Sequence, residues 1–220
     1  MVAGLSTPVE PSLRLPASER PTVALTLDAC PGAFDERLAR ALVDNAIPAT
    51  IFVTSLWIRR NPSGLAFFLA HRDLFSLQNH GARHLPPILG ARSVYGLAPA
   101  GSWDAIRTEV AAGAETVQAA SGQTPIWYRG AAALYSPEVL APIRQMGFGI
   151  AGFSLNADVG ASLPAGAVAA RIAKAQDGDV IIGHINQPLR PSGAGIAAGA
   201  AALKRRGMNF AWLASITNDD

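Results

Sequence analysis

The chain has 220 residues, room for one domain with a large core and too little for two of ordinary size. Half of the residues are hydrophobic and 15% are charged, which excludes a disordered or fibrous chain. The net charge is only +2, and the short basic runs Arg59-Arg60 and Lys204-Arg205-Arg206 fall at expected helix ends, where cations suit the negative end of the dipole, so nucleic acid is not an expected partner.

Residues 1–20, MVAGLSTPVEPSLRLPASER, form a Pro/Ser-rich lead without the apolar core and cleavage site of a signal peptide. No stretch reaches the ~18 apolar residues of a membrane span. A cytoplasmic location and a periplasmic or secreted one, with an export signal removed, both stay open. Residues 21–220 are expected to form a single domain.

Val23 to Leu27, apolar and β-branched, reads as a buried strand. Behind it Asp35 is a candidate N-cap for a helix through Leu38, Ala41, Leu42 and Asn45, which must stop before Pro48. A strand at 49–54, a helix near 63–70 and a strand at 74–78 follow. Ser102 caps a longer helix with Ile106, Val110, Ala114 and Val117 on one face, and Gly122 marks its end. A strand at 126–128 precedes a helix starting at Ser136-Pro137, which Pro142 should kink or delay. A strand at 148–155, a helix at 165–175, a strand at 179–183, an Ala/Gly-rich helix at 193–206 and a strand at 209–216 complete the series. Strand and helix alternate throughout, which implies parallel pairing in an α/β fold, open or closed into a barrel.

The unusual polar residues follow apolar strands: Asp28 after VALTL, Asn79 and His80 after LFSLQ, Arg129 after IWY, Asp158 after GFSLNA, and His184 after VIIG. Parallel α/β folds gather their strand C-termini on one face, and in barrels that face carries the active site. Any one of these residues could simply cap a turn; five such strand ends on one rim point to chemistry. Three of the four histidines lie at or just beyond these strand ends, and His80 and His84 in NHGARH are spaced to face one ion. The fourth, His71, is expected at a helix end as a structural residue.

LTLDACPG, NHGARH, WYRG, LNADVG and VIIGH resemble, in order, the five motif regions of the polysaccharide deacetylases, carbohydrate esterase family 4 or the NodB-homology domain. The resemblance spans Val23 to about Ile216. It implies a distorted (β/α) barrel of about seven units and a hydrolase that removes acetyl groups from sugar polymers or oligomers. It also implies a divalent metal, commonly zinc, on His80 and His84. Asp28 matches the general base, Arg129 the arginine that orients it, His184 the general acid, and Asp158 falls in the region of the carboxylate that tunes that acid.

Ala29 stands where the family has a second aspartate that ligates the metal. Two histidines leave a divalent ion short of the usual three protein ligands. Ligation by Asp28 or extra waters is the expected remedy. Asp35 is expected to cap its helix, Cys30 falls in a turn where a thiolate would change the metal preference, and loss of metal and activity is the remaining alternative. As the single cysteine, Cys30 cannot form an internal disulfide.

The acid/base scheme stands on its own chemistry. An amide needs its oxygen polarised, a water activated and its nitrogen protonated, and backbone N–H groups after Arg129 are candidates to bind the developing oxyanion. For an acetylated glycan, Trp127, Tyr128 and Asn186 are candidate contacts, with Trp57, Trp103, Gln187 and Arg190 also considered; aromatic residues in this number are more often core. The alternatives are a hydrolase of a small non-peptide C–N bond on the same fold and an inactive glycan-binding relative. A groove across the rim favours a polymer, and a pit closed by residues 86–101 favours a small molecule.

Overall fold

A computed structural model describes residues 6–213. Its strands are β1 (Thr22–Ala29), β2 (Ala49–Val53), β3 (Phe75–Asn79), β4 (Trp127–Tyr128), β5 (Gly149–Ile150), β6 (Leu155–Asn156), β7 (Val180–His184) and β8 (Asn209–Phe210). The helices are α1 (Glu36–Asp44), α2 (Ser55–Arg60), α3 (Pro62–Ala70), α4 (Trp103–Ser121), α5 (Pro137–Gln145), α6 (Ala165–Ile172) and α7 (Ser192–Arg205). The strands lie in the order β5-β4-β3-β2-β1-β7-β6, all parallel, with β8 added beside the start of β1. This is the distorted (β/α) barrel that the alternation and the motif resemblance imply.

Period-two alternation sorts each strand between two environments. On β1, Val23, Leu25, Leu27 and Ala29 join the core shared with α1, α2, α3, α6 and α7, including Leu38, Leu42, Trp57, Phe68 and Ile196. The intervening Ala24, Thr26 and Asp28 face the other way. Ala24 joins Phe52, Trp127, Ala151, Val180 and Leu213 in a plug inside the barrel, and Thr26 and Asp28 continue that face toward the strand C-termini.

The caps act as read: Asp35 accepts from the Leu38 N–H, Ser102 from the Ala105 N–H, and Gly122 ends α4 in the left-handed conformation. On α4, Gly113 is buried where Ala114 was expected on the packed face. α5 begins at Pro137, as expected, and carries Pro142 within it. The small residues of α7 let it approach α6 closely, since a Cβ on Gly195 would strike the Ala165 carbonyl and one on Gly199 would meet Ile172.

Two elements differ from the sequence reading. Thr54 does not end a strand; its hydroxyl accepts from the Trp57 N–H and caps α2, a six-residue helix too short to show a period. The segment read as one strand over 148–155 is two: β5 pairs with β4 on one edge of the sheet and β6 pairs with β7 on the other. Between them the chain crosses the barrel seam, with the Ala151 and Gly152 carbonyls bonded to the Arg129 guanidinium. Of the strand read at 209–216, only Asn209 and Phe210 form β8, residues 211–213 are not strand, and residues 214–216 lie outside the described residues.

The lead segment closes over this seam. Val9 bridges Tyr135, Phe153 donates to the Pro11 carbonyl, Leu15 donates to the Gly178 carbonyl, and Arg14 pairs with Asp179 at 2.7 Å. Leu13 and Leu15 pack on the interior plug, so residues 9–15 contribute to the same packing as the barrel.

Leu42 is fully buried on α1. Leu42→Ala is expected to lower stability by about 2–5 kcal/mol in urea unfolding, while leaving the strand C-termini in place.

Candidate functional site

The residues singled out in the sequence meet at the strand C-termini. Asp28 on β1 and His184 on β7 are direct register partners, and His80 and Arg129 follow β3 and β4, whose last residues Asn79 and Tyr128 are themselves partnered. Asp158 lies two residues beyond β6.

Asp28 is buried and bonded at 2.9 Å to Arg129, while its other carboxylate oxygen lies 3.8 Å from His80 Nε2. Burial acts to raise the Asp28 pKa, but Arg129, His80 and His184 outweigh it and hold the carboxyl below its ordinary range. Arg129 also donates to Thr26 Oγ1 and to the Ala151 and Gly152 carbonyls.

Asp158 is buried and receives both the His184 Nδ1 bond at 2.9 Å and the His184 backbone N–H at 2.8 Å. Burial opposes a charged imidazole here, yet the Asp158 bond and neighbouring Cys30 raise the His184 pKa well above its ordinary value. With Nδ1 engaged, Nε2 is the ring atom left for proton exchange.

Cys30, His80 and His84 form a third group, each offering a ligand atom within 4.8 Å of the others'. Cys30 Sγ is 3.4 Å from His80 Nε2, and His80 Nδ1 donates to the Arg129 carbonyl at 2.7 Å. That bond fixes the tautomer that leaves the Nε2 lone pair facing the cluster. His84 Nε2 is buried without a hydrogen-bond partner. A soft sulfur, two imidazoles and an unsatisfied buried nitrogen fit a zinc-class ion. The convergent set therefore contains Cys30, which the sequence reading placed in a turn, and not Asp28, whose carboxylate is held by Arg129.

The loop carrying His84 is shaped by a residue that the motif reading missed. Glu109 on α4 is buried, and its Oε1 accepts the N–H groups of Arg83 at 2.7 Å and Leu85 at 3.2 Å. A Cβ on Gly81 would meet the same carboxylate, and Gly113 on α4 leaves space for the loop backbone. A glutamate at a buried helix position was the available signal.

Above these groups lies a cleft. One part, of about 380 Å³, is lined by Asp28, Cys30, His84, Ala132, Tyr95 and His184 among others; another, of about 660 Å³, extends past Asn186, Gln187 and Arg190. His84, Ala132, Ala133 and Val159 line the first part and hold positive φ angles of 65°, 62°, 52° and 50°. Such backbone strain gathers where a site needs a particular geometry.

Of the expected glycan contacts, Asn186 faces the cleft. Trp127 and Tyr128 do not: they are 3% and 0% exposed, Trp127 donating to the Leu213 carbonyl and Tyr128 packing on Tyr135. Trp57 is likewise core, against Phe34 and Phe68. Trp127 and Tyr128 were candidates because an aromatic pair beside a motif does not reveal which face it occupies, and the core alternative holds. The Gly130 N–H, first after Arg129, is engaged by Tyr135 Oη at 2.7 Å, so it is not an oxyanion donor in this conformation. Arg190 bonds to the Gly160 and Ala161 carbonyls and orders its loop. His71 ends α3 against Phe67, a structural position.

The sequence profile of the polysaccharide deacetylase family matches residues 16–151, more than half of the chain. The chain belongs to that family. A search of curated proteins finds no match. Among solved structures, this polysaccharide deacetylase family member is similar to a peptidoglycan N-acetylglucosamine deacetylase complexed with a naphthalenyl N-hydroxybenzamide, with a TM-score of 0.78, 19% identity, and coverage of 95% of this chain and 93% of that one. It is similar to a family 4 carbohydrate esterase from Streptomyces lividans in complex with acetate, with a TM-score of 0.68, 20% identity, and coverage of 88% and 93%. A CE4 family pseudoenzyme from Bacillus anthracis also matches, with a TM-score of 0.68, 19% identity, and coverage of 90% of this chain and 66% of that one; a mutant of that pseudoenzyme has restored enzymatic activity. At these identities the likeness establishes the fold, and family membership supports a hydrolase that deacetylates glycans.

Glu109→Ala removes the acceptor shared by two loop amides. Hydrogen exchange at Arg83 and Leu85 is expected to quicken, with a stability loss of about 1–3 kcal/mol; unchanged protection at both amides would show that the carboxylate does not hold the loop.

Proposed function

We propose that this chain is a metal-dependent hydrolase removing acetyl groups from N-acetylated, or O-acetylated, sugar polymers or oligomers, with Asp28 as general base and His184 as general acid. The observation that carries the reading is the pair of oppositely prepared groups at adjacent register positions of β1 and β7. Asp28 is held as a carboxylate by Arg129, and His184 is held toward its protonated form by Asp158.

The division of labour follows from the hydrogen bonds. Arg129 occupies one Asp28 oxygen, so the other accepts a proton from water. Asp158 orients His184 through Nδ1, so Nε2–H delivers a proton to the leaving nitrogen or oxygen as the acyl bond breaks. His80 and His84 would hold the divalent ion, which when bound supplies Lewis-acid polarisation of the acyl oxygen and acidifies a water molecule. Arg129 positions the base and is itself too buried to touch substrate.

The cleft supports an extended substrate over a small enclosed one. Residues 86–101 contribute Tyr95, Gly96, Leu97 and Ala98 to one wall, and Tyr95 is 83% exposed on the rim. An exposed ring there suits the apolar face of a sugar, and its exposure means that the segment stands beside the site without sealing it. Asn186 lines the cleft beside Gln187 and Arg190, a place for a side-chain amide to meet an acetamido group.

Acetate release from chitooligosaccharides and acetylated xylan tests the reading. Chelator-stripped protein is expected to be inactive, and zinc or cobalt to restore release. Asp28→Asn and His184→Ala should each lower kcat by about 10²–10⁴-fold with the fold intact by circular dichroism. Folded protein that releases no acetate with any metal would overturn the proposal, in favour of a small C–N substrate or a glycan-binding role.

A further inference from the structure

The geometry points to Cys30 as the third protein ligand of the metal site, a thiolate that completes a Cys-His-His centre with His80 and His84 and leaves Asp28 free to act as the base. This rests on the metal-dependent reading above and goes beyond it, because the motif resemblance assigns no role to a cysteine at this place.

The first argument is the direction of the side chains. Ala29 is buried in the layer between sheet and helices, packed with Leu25, Leu27 and Val53, so a side chain at position 29 of this strand points away from the site. Asp28 and Cys30, two residues apart, share the opposite face, and both line the cleft. In this chain the position that can follow Asp28 into the site is 30.

The second argument is convergence. Cys30 Sγ lies 3.4 Å from His80 Nε2, and a ring nitrogen of His84 completes a set with all ligand atoms within 4.8 Å of one another. Three donors around one ion, each at about 2.0–2.3 Å, stand some 3–4 Å apart in a tetrahedral sphere, so modest side-chain adjustment suffices. The third argument is the state of the imidazoles. His80 has its distal nitrogen bonded to a carbonyl, as a ligating histidine does. His84 holds a left-handed backbone conformation and keeps a buried nitrogen without a partner, two costs that a bound ion would offset.

The chemical consequence is a change of preference. A thiolate is a softer donor than the carboxylate of the family's motif, so it favours zinc and cobalt over manganese and magnesium. It also brings a negative charge to the ion without using the carboxylate that Arg129 holds.

The 220-residue chain, stripped and titrated with cobalt, tests this, and Cys30 being its single cysteine makes the readout unambiguous. The expected result is one cobalt per chain with a near-ultraviolet thiolate-to-cobalt charge-transfer band, and protection of Cys30 from iodoacetamide on zinc loading. Cys30→Asp should bind cobalt without the band, and Cys30→Ala should bind zinc at least roughly tenfold more weakly. Stoichiometric cobalt that is lost in His80→Ala, yet gives no band and leaves Cys30 equally reactive with and without zinc, would overturn the cysteine assignment while leaving the metal-dependent reading standing. Folded wild-type protein that binds neither zinc nor cobalt would overturn both.

Discussion

Arg129 is completely buried, and its guanidinium donates to Asp28, Thr26, Ala151 and Gly152 while lying 4.3 Å from the centre of the Phe52 ring. These bonds join β1, the end of β4 and the seam after β5 at the floor of the cleft. A buried guanidinium is costly unless its donors are met and its charge is paired, and here both conditions depend on the strands keeping their register. The same constraint sets Asp28. With one oxygen fixed by Arg129, the carboxylate stays charged in a buried place and presents its other oxygen to the cleft.

The histidines extend this arrangement. The Arg129 carbonyl receives His80 Nδ1, so the residue that orients Asp28 also orients the imidazole of His80. His184 sits opposite Asp28 on the neighbouring strand and is fixed by Asp158 from beyond β6. The proposed base, ion site and acid are thus three neighbouring uses of one strand-end rim. The loop bearing His84 is anchored from behind by Glu109, whose buried charge is answered by backbone amides.

The fold was legible where the chain is periodic or punctuated: buried β-branched strands, the Asp35 and Ser102 caps, Gly122 and the small-residue face of α7 each carry a local physical signal. The seam was not. Residues 148–155 look like one apolar strand because nothing local records that the chain leaves one sheet edge for the other beneath Arg129. At the site, Asp28, His80, His84, Arg129, Asp158 and His184 were singled out because strand ends converge in parallel folds and five motif regions resemble one family, and the structure places them on one rim. Trp127 and Tyr128 were misplaced because the face of a two-residue strand cannot be read from its composition. That Cys30 lines the cleft was hidden for a related reason: it follows from Ala29 facing the helices, which no motif records.

In the proposed mechanism a free base at Asp28 and a metal centre beside it divide the labour. A crystal structure of the zinc-loaded protein, with anomalous data collected at the zinc edge, tests that division directly. The account predicts one ion between His80, His84 and Cys30, with Asp28 still bonded to Arg129 and turned toward a water molecule. An ion bound instead through Asp28, with Cys30 outside its reach and no other carboxylate near the water, would contradict it.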